Sequence, residues 1–355
     1  MIFKYNFKSY KLMFFAIKHL CVTLCLLCVT PCKFYCYTED HRGRTENHRV
    51  NTIKNLVLFC NFDESKSLKI KMQKGRRLPG WLKMQRASGE TYSAVKHIVI
   101  ENHLHTICTS GNCPNIGECW NRGTATFMIL GDICTRACKF CATMTGRPLA
   151  PDQYEPERLA GSIKTMRLKH CVITSVDRDD LPDGGASFWA ETIRKIKEIN
   201  PGITMETLIP DFDSKTELIQ MIIDASPEVI SHNIETVRRL TPIIRTKAKY
   251  DTSLEVLRYI SGKEKTAKSG FMLGLGETED EIFQTITDLF NSGCKILTIG
   301  QYLQPGSEYM EVVEYVRPEK FEEYRMFSLG LGFSHVESSP LVRSSFHAEN
   351  HVKAQ

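Results

Sequence analysis

The stretch Thr126-Phe-Met-Ile-Leu-Gly-Asp-Ile-Cys134-Thr-Arg-Ala-Cys138-Lys-Phe-Cys141 determines how the rest of the chain is interpreted. Its apolar start, residues 126–130, predicts a short buried strand, which a glycine and an aspartate then end. The three cysteines therefore lie on a loop that follows the strand. Loops at the carboxyl ends of parallel strands carry the chemistry of α/β barrels, so this loop is the first candidate for a functional site.

The spacing of the three cysteines, C-x3-C-x2-C, suits an iron–sulfur cluster. Three thiolates hold three irons of a cubane cluster and leave the fourth iron without a protein ligand. Arg136 and Lys139 are positive neighbours that favour the thiolate over the thiol. A zinc ion held by the three cysteines and a distant histidine is the structural alternative, although zinc sites more often pair one C-x2-C with another.

Strand-like and helical patterns alternate along the chain around this stretch. Apolar, β-branched segments separated by helical patterns predict a parallel sheet. Six such units are too few for a closed eight-stranded barrel. The predicted fold class is therefore α/β, a partial (β/α)6 TIM-like barrel with N- and C-terminal extensions. The predicted strands are 126–130, 171–176, 203–208, 229–233, 269–273 and 296–300, and the predicted helices are 156–168, 186–199, 214–224, 252–261, 279–292 and 318–329.

Polar side chains at or just past the predicted strand ends face the open side of the barrel and are candidates for ligand binding. The turn Gly274-Leu-Gly-Glu277 either lets backbone approach a ligand or makes a tight strand-to-helix turn. Three basic residues are candidates for anion contacts, with ion pairs as the default alternative. The strand-end candidates are Ser175, Asp177, Glu206, Asn233 and Gln301, and the basic ones are Arg178, Lys268 and Arg343.

A second cysteine triad stands fifteen residues upstream of the first. Cys108, Cys113 and Cys119 have the spacing C-x4-C-x5-C and, beside the other triad, indicate a second cluster. A disulfide framework does not suit two triads with loop spacing. The two single cysteines, Cys171 and Cys294, adjoin apolar runs and are predicted to be small core residues.

A third triad near the N-terminus is a decoy. Cys21, Cys25 and Cys28 repeat the C-x3-C-x2-C spacing but stand among Val, Thr and Leu. No Gly, Arg or Lys lies between them to bend the backbone or to stabilise thiolates. We therefore do not predict a cluster there.

The two body triads together resemble the lipoyl synthases, a family of the radical S-adenosylmethionine (radical SAM) enzymes. The resemblance covers about residues 78–353, and near its end Arg343-Ser344-Ser345-Phe346-His347 corresponds to the family's Arg-Ser-Ser-Tyr. Phe346 departs from that pattern and removes a hydroxyl. Other matching segments are Gly123-Thr-Ala-Thr-Phe-Met-Ile-Leu-Gly131, Val172-Ile-Thr-Ser-Val-Asp-Arg-Asp-Asp180, Gly274-Leu-Gly-Glu277 and Gly300-Gln-Tyr-Leu-Gln-Pro305.

The resemblance implies two [4Fe-4S] clusters, with S-adenosylmethionine as cosubstrate. The strand-end side chains are then candidates for binding the ribose, amino or carboxylate groups of this nucleotide cosubstrate. One cluster is held by Cys134, Cys138 and Cys141, next to the aromatic Phe140. The other, auxiliary cluster is held by Cys108, Cys113, Cys119 and Ser345. Because a serine oxygen is a harder donor than a thiolate and matches cluster iron less well, we expect that bond to be the weak one.

The implied reaction inserts two sulfur atoms, supplied by the auxiliary cluster, at C6 and C8 of an octanoyl chain. The chain is carried on a lysine of a lipoyl carrier domain of the 2-oxoacid dehydrogenase E2 type, and the expected electron donor is ferredoxin-like. Another two-cluster radical SAM sulfur-inserting enzyme, of the biotin synthase kind, is the alternative. If the protein is not an enzyme, the alternative is a non-catalytic iron–sulfur electron carrier or a zinc-organised scaffold protein.

Net charge separates the N-terminal part of the chain from the rest. The whole chain has 46 Lys+Arg and 41 Asp+Glu, for a net charge of +5, whereas residues 1–77 carry +10 and residues 78–355 carry −5. The acidic body has no dense basic run, so a nucleic-acid partner is not expected. We divide the body into an N-terminal extension at 78–125, a barrel at 126–333 and a C-terminal extension at 334–355.

The leader has two parts. In residues 1–30, lysines precede an apolar run at 20–29, which is too short to span a bilayer but suits a secretory signal, with a buried helix as the alternative. Residues 31–77 are basic and polar, like a transit peptide or a disordered linker. The combination resembles the bipartite presequences of proteins sent to secondary plastids such as the apicoplast. A mitochondrial presequence is the alternative, and no stable membrane anchor is expected after leader removal.

Overall fold

The computed structural model describes residues 78–83, 88–122 and 124–352, which belong to one compact unit spanning 77–355. The predictions for the leader, including its decoy triad, lie outside the described residues. Among the helices of the described ranges, none combines the length and the apolar character needed to cross a membrane.

Short strands alternate with longer helices through most of the described chain. The strands are β1 (His105–Thr106), β2 (Thr126–Ile129), β3 (Ile133–Cys134), β4 (Met144–Thr145), β5 (His170–Ser175), β6 (Thr204–Leu208), β7 (Val229–Ser231), β8 (Thr266–Leu273), β9 (Ile296–Gln301) and β10 (His335–Ser338). The α-helices are α1 (Glu90–Glu101), α2 (Ile107–Ser110), α3 (Ile116–Asn121), α4 (Glu155–Thr165), α5 (Ala186–Ile199), α6 (Thr216–Asp224), α7 (Thr241–Ile244), α8 (Tyr250–Gly262), α9 (Glu279–Asn291), α10 (Pro318–Leu331) and α11 (Ala348–His351).

The main sheet has eight strands in the order β1-β2-β5-β6-β7-β8-β9-β10. The seven strands from β2 to β10 are parallel, and each pairs with the next one in the chain, as expected of consecutive βα units. β1 runs antiparallel to β2 at one edge. The predicted α/β class and partial TIM-like barrel are confirmed.

The main sheet contains two strands beyond the six predicted ones, and β3 and β4 form a separate pair. The two-residue β1 is too short to give a pattern. β10 lies within the segment assigned to the C-terminal extension, yet it pairs with β9 from His335↔Ile296 to Ser338↔Ile299. Sequence reasoning missed it because only two of its four residues, Val336 and Ser338, are buried, and Ser338 is polar.

The core forms between the sheet and one face of each helix. In α5 the buried residues Trp189, Ile193 and Ile196 recur at helical spacing and meet the same core cluster as β5. Cys171 and Cys294 are almost fully buried in that cluster, as predicted. This packing fixes the strand ends, and the loops that follow them carry the site.

Candidate active site

The loop with Cys134, Cys138 and Cys141 leaves the sheet through a sharp turn. Leu130 and Gly131 both have left-handed backbone, with φ of 67° and 91°, and the Leu130 N–H donates to Glu155 Oε2 at 3.0 Å. The ends of the loop then meet in the small parallel ladder of β3 and β4. The three cysteines are therefore held in a closed loop beyond the carboxyl end of β2.

The thiol of Cys134 faces the next strand end. Its Sγ accepts the backbone N–H groups of Arg136 and Asp177, each at 3.4 Å, and lies 3.8 Å from Asp177 Oδ2. Burial and the Asp177 charge raise its pKa to about 12. Burial also raises the pKa values of Cys138 and Cys141. Binding of a cluster therefore has to displace protons from these thiols.

Arg136 favours the Cys134 thiolate through its backbone N–H, whereas its side chain has other partners. The Arg136 guanidinium is buried and binds Asp179 at 2.8 Å and Asp211 at 2.9 Å, and it reaches Asp177 at 3.4 Å. Its positive charge is therefore balanced by these three carboxylates. Lys139 is exposed, and its backbone N–H donates to Ile244 O at 2.8 Å. The Arg136 side chain and the Lys139 backbone N–H therefore hold the loop in place.

Three of the predicted cosubstrate residues lie near this edge of the sheet. Ser175 ends β5 and accepts a hydrogen bond from Trp189 Nε1 at 3.2 Å. Asp177 follows it and contacts the first cysteine, as described above. Asn233 follows β7, and its buried Oδ1 has no partner among the described residues. Phe140 packs against a separate apolar cluster that includes Leu240.

Two other predicted cosubstrate residues have structural positions instead. Glu206 is the third of five residues in β6, so its assignment to a strand end is wrong. Its side chain is buried, and both of its oxygens accept hydrogen bonds from Lys268 Nζ, at 2.7 and 2.8 Å. Burial opposes ionisation of Glu206, but Lys268 outweighs it and lowers the pKa to about 2. The ion pair also accounts for Lys268, which is not free to bind an anion.

Gln301 does end a strand, but its amide is fully occupied by backbone. The two hydrogens of Nε2 are shared among Leu273 O, Tyr302 O and Glu314 O, which lie 2.9–3.1 Å away, and Oε1 accepts from the Val316 N–H at 2.8 Å. The cosubstrate role predicted for it is therefore contradicted. Sequence position showed the strand end but not these backbone partners.

Arg178 also has protein partners. It binds Asp180 at 2.9 Å and donates to the carbonyls of Leu130 and Leu149. The expected anion contact is replaced by contacts that connect the β2 and β5 loops.

Sequence reasoning missed Glu235 at this edge. It has left-handed backbone with φ of 67° just after β7 and pairs with Phe271 of β8. Burial raises its pKa, and its charge acts on Cys141. The available signal was a glutamate two residues beyond the predicted strand end at Asn233.

The second triad forms a separate group, in which Cys108 is buried and Cys113 and Cys119 are half-buried. Cys108 lies on α2 and Cys119 on α3, and Cys113 stands between them with its N–H donating to Cys108 O at 3.0 Å. Burial and the neighbouring thiols raise the pKa of Cys108 to about 11 and that of Cys119 to about 12. The bonds from the Cys113 N–H to Cys108 O and from the Ile116 N–H to Cys113 O hold this segment in consecutive turns, which keeps the three cysteines near one another.

The C-terminal segment lies against this triad. Asn115 Nδ2 donates to Leu341 O at 2.7 Å, and His347 Nε2 lies 3.4 Å from Glu118 Oε1. Arg343 is close enough for its charge to lower the pKa of Cys113 against the larger effect of burial. These contacts bring the half-buried Ser345 segment to the triad. Next to it, the Phe346 ring stacks on His347 with centroids 3.8 Å apart.

The two triads lie beyond opposite ends of β2. The first cysteine loop follows the carboxyl end of β2. Because β1 is antiparallel to β2, the chain that leaves Thr106 toward Cys108 is on the side where β2 begins. The barrel therefore separates two thiol sites and leaves its interior between them.

A partial parallel barrel with a C-x3-C-x2-C loop at the carboxyl end of its first parallel strand defines a radical SAM protein. The model of the radical SAM superfamily matches residues 128–289. The chain is 58% identical to the lipoyl synthase of Parabacteroides distasonis and 57% identical to that of Treponema denticola, over 78% of this chain and 98% and 96% of theirs. The chain belongs to the lipoyl synthase family, and it is a sulfur-inserting enzyme.

Among solved structures, methylornithine synthase is similar at a TM-score of 0.46 and 11% identity, covering 70% of this chain and 76% of that one.

Proposed function

We propose that the enzyme holds two [4Fe-4S] clusters, one at each triad, and inserts sulfur at C6 and C8 of a protein-bound octanoyl chain that reaches the space between them. The observation that carries this proposal is the pair of cysteine triads beyond opposite ends of β2. Residues between the cysteines of the second triad contact the C-terminal segment that carries Ser345. Three thiols at each site provide the donor set that a cubane cluster requires. At the second site, the Ser345 oxygen supplies the fourth ligand.

When bound, the cluster at Cys134, Cys138 and Cys141 supplies one electron for the reductive cleavage of S-adenosylmethionine, which generates the radical that removes hydrogen from carbon. Asp177, Ser175 and Asn233 stand at adjacent strand ends beside that loop. We assign them to the polar groups of the cosubstrate. The unpartnered Oδ1 of Asn233 is a free acceptor for an amino or hydroxyl group.

The chain's own residues orient the reactants and exclude water. The C-terminal extension reaches Lys268 deep in the barrel, because the Lys268 ammonium donates to Ser344 O at 2.5 Å. This bond fixes the residue before Ser345 relative to the sheet. The extension therefore sets the position of the serine ligand.

An anaerobic assay tests the activity. With reconstituted enzyme, dithionite, S-adenosylmethionine and an octanoyl-lysine peptide, we expect product heavier by two sulfurs and about eight irons per chain. Four irons with no cleavage of S-adenosylmethionine contradict the proposal.

Ser345→Ala tests the second cluster, with Ser344→Ala as its matched control. Ser344 contributes its backbone carbonyl to Lys268, so loss of its hydroxyl leaves that contact in place. We expect Ser345→Ala to lower the sulfurated product about tenfold or more, since loss of even an outer partner costs that much metal affinity. Cleavage of S-adenosylmethionine should continue in both variants. Equal product from both would remove Ser345 from the ligand set.

The substrate is a lipoyl carrier domain, and we propose the 2-oxoacid dehydrogenase E2 type, with a ferredoxin-like protein as electron donor. A one-electron donor of low potential is what the cluster chemistry requires. Replacing dithionite with reduced ferredoxin should sustain turnover. Failure of ferredoxin, with activity retained in dithionite, would exclude this donor.

We propose an apicoplast or other plastid location, with the mitochondrion as the alternative. The support is the +10 charge of residues 1–77 and the short apolar run at 20–29, set before an acidic body. Fusing residues 1–77 to a fluorescent reporter should direct it to the plastid. A cytosolic signal would contradict the proposal.

A further inference from the structure

We propose that His335, Glu337 and His351 form a site for one divalent metal ion of the Zn²⁺ class, separate from both cysteine triads. Each residue offers one ligand atom, and these atoms lie within 4.8 Å of one another. His335 and Glu337 are two apart on β10 and so share a face of the strand, with His335 Nε2 3.2 Å from Glu337 Oε1. His351 comes from α11, and its ring centroid is 4.7 Å from that of His335.

An unpartnered nitrogen on a buried ring is the second observation. The side chain of His351 is 0% exposed. Its Nδ1 lies 3.5 Å from Glu206 Oε2 and 3.3 Å from Lys268 Nζ. Nε2, at the opposite edge of the ring, has no hydrogen-bond partner among the described residues. A buried polar atom without a partner destabilises the fold, and coordination of an ion by Nε2 removes that cost.

Glu206 matches the outer partner that a metal-bound histidine needs. A ligating histidine usually donates its other ring N–H to a carboxylate, which fixes the tautomer and the ring orientation. Glu206 is in place to accept from His351 Nδ1. The Lys268 charge beyond it is compensated, because both Glu206 oxygens bind Lys268. The ion would therefore meet a neutral ring and not an uncompensated ammonium.

The chemical types of the three ligand atoms indicate which metal ion the site would bind. Imidazole nitrogens and one carboxylate suit Zn²⁺, whose bonds to such ligands are about 2.0–2.2 Å. His335 and Glu337 are only half-buried, which leaves an entry path. His347 Nδ1 lies 3.7 Å from Glu337 Oε1 and is available as a further neighbour.

A metal ion at this site would hold the C-terminal extension in place. An ion shared by β10 and α11 would fix both sides of the segment that carries Ser345. This role differs from the sulfur chemistry, because the ion would hold the segment in place and would not be consumed.

The test uses the full chain with both clusters reconstituted anaerobically, so that the cysteines are occupied. After removal of loosely bound metal, Zn²⁺ is added, and zinc per chain and its X-ray absorption spectrum are measured. We expect one zinc per chain with only nitrogen and oxygen neighbours. His335→Gln and Glu337→Gln should each lower the zinc affinity at least about tenfold.

His97→Gln is the matched control, because His97 and Glu101 form an exposed His–Glu pair at 3.0 Å that no third ligand joins in the described chain. It should leave zinc binding unchanged. The proposal is overturned if the holoenzyme binds no zinc, if the spectrum shows sulfur neighbours, or if both glutamine variants bind as the parent does. None of these outcomes depends on sulfur insertion, so this site and the proposed function fail separately.

Discussion

Arg136 is the residue that holds the radical SAM loop to the barrel. Its side chain is 5% exposed and lies among three carboxylates, of which that of Asp211 is 2% exposed. Removal of one partner from a buried ion network leaves charges uncompensated and costs about 3–5 kcal/mol. We predict that Arg136→Gln lowers the free energy of unfolding by about this amount and reduces iron retained at the loop. Urea unfolding and iron analysis measure the two effects.

Lys247 provides the control for Arg136. It binds Asp179 at 2.8 Å and Asp213 at 3.1 Å, but it is 42% exposed. Exposed ion pairs contribute about 0–1 kcal/mol. Lys247→Gln should therefore change stability and iron content little. If the two variants behave alike, the buried network is not what secures the loop.

His232 makes stability depend on pH in the weakly acidic range. It is buried, with its ring nitrogens 2.9 Å from Ile209 O and from Ser253 Oγ. Burial and the Arg245 charge lower its pKa from 6.5 to about 4. As pH falls below about 6.5, the unfolded chain therefore takes up a proton that the folded chain refuses, and stability decreases until about pH 4.

The shift at His232 corresponds to about 3 kcal/mol in total, of which about 2 kcal/mol is lost by pH 5. We predict that His232→Asn flattens the fall in unfolding free energy between pH 7.5 and pH 5 by about that amount. Anaerobic urea unfolding at the two pH values, with the parent chain alongside, measures the difference. Parallel pH profiles would show that His232 does not carry this dependence.

At the scale of elements, the turn after β8 depends on two glycines with different surroundings. Gly274 and Gly276 both have φ of 102°. A Cβ on Gly274 would stand 2.1 Å from Gln301 Nε2 and 2.4 Å from Glu314 O, whereas a Cβ on Gly276 would have only Val313 methyls, at 3.7 Å and beyond. The first glycine is therefore required by packing as well as by backbone conformation.

We predict that Gly276→Ala costs about 1–2 kcal/mol, the strain of left-handed backbone in a residue with a Cβ. Gly274→Ala should cost clearly more, because Gln301 would have to give up its backbone hydrogen bonds as well. Thermal unfolding of the two variants compares them directly. Equal losses would mean that the Gln301 amide moves aside freely.

The same elements show what could be predicted from the sequence. Apolar β-branched runs gave the six inner strands, because strands buried on both faces need such residues. β10 was not predicted because its outward positions are polar. β1 was not predicted because its two residues are too few to form a pattern. Among site residues, cysteine spacing located both triads. Glu206 and Gln301 were misassigned because a polar residue in or at a strand has the same sequence signal whether it faces a ligand or a buried backbone.

At the scale of the whole molecule, the residues assigned to the site all lie in the body, residues 78–355. The relatives in Parabacteroides and Treponema match 78% of this chain and almost all of their own length. Both triads, the Ser345 segment and the proposed zinc ligands lie in the body. The positive charge lies in residues 1–77 and is not needed by any contact described in the site.

We therefore predict that a chain beginning at residue 78 binds about eight irons and forms the sulfurated product at the rate of the full chain. The reason is that every residue assigned to a cluster, to the cosubstrate or to the barrel core lies beyond that point. Anaerobic reconstitution of both chains, followed by the octanoyl-lysine assay, measures iron and product side by side. Loss of product with full iron content would show that the leader takes part in substrate binding, and loss of iron as well would show that it supports the fold.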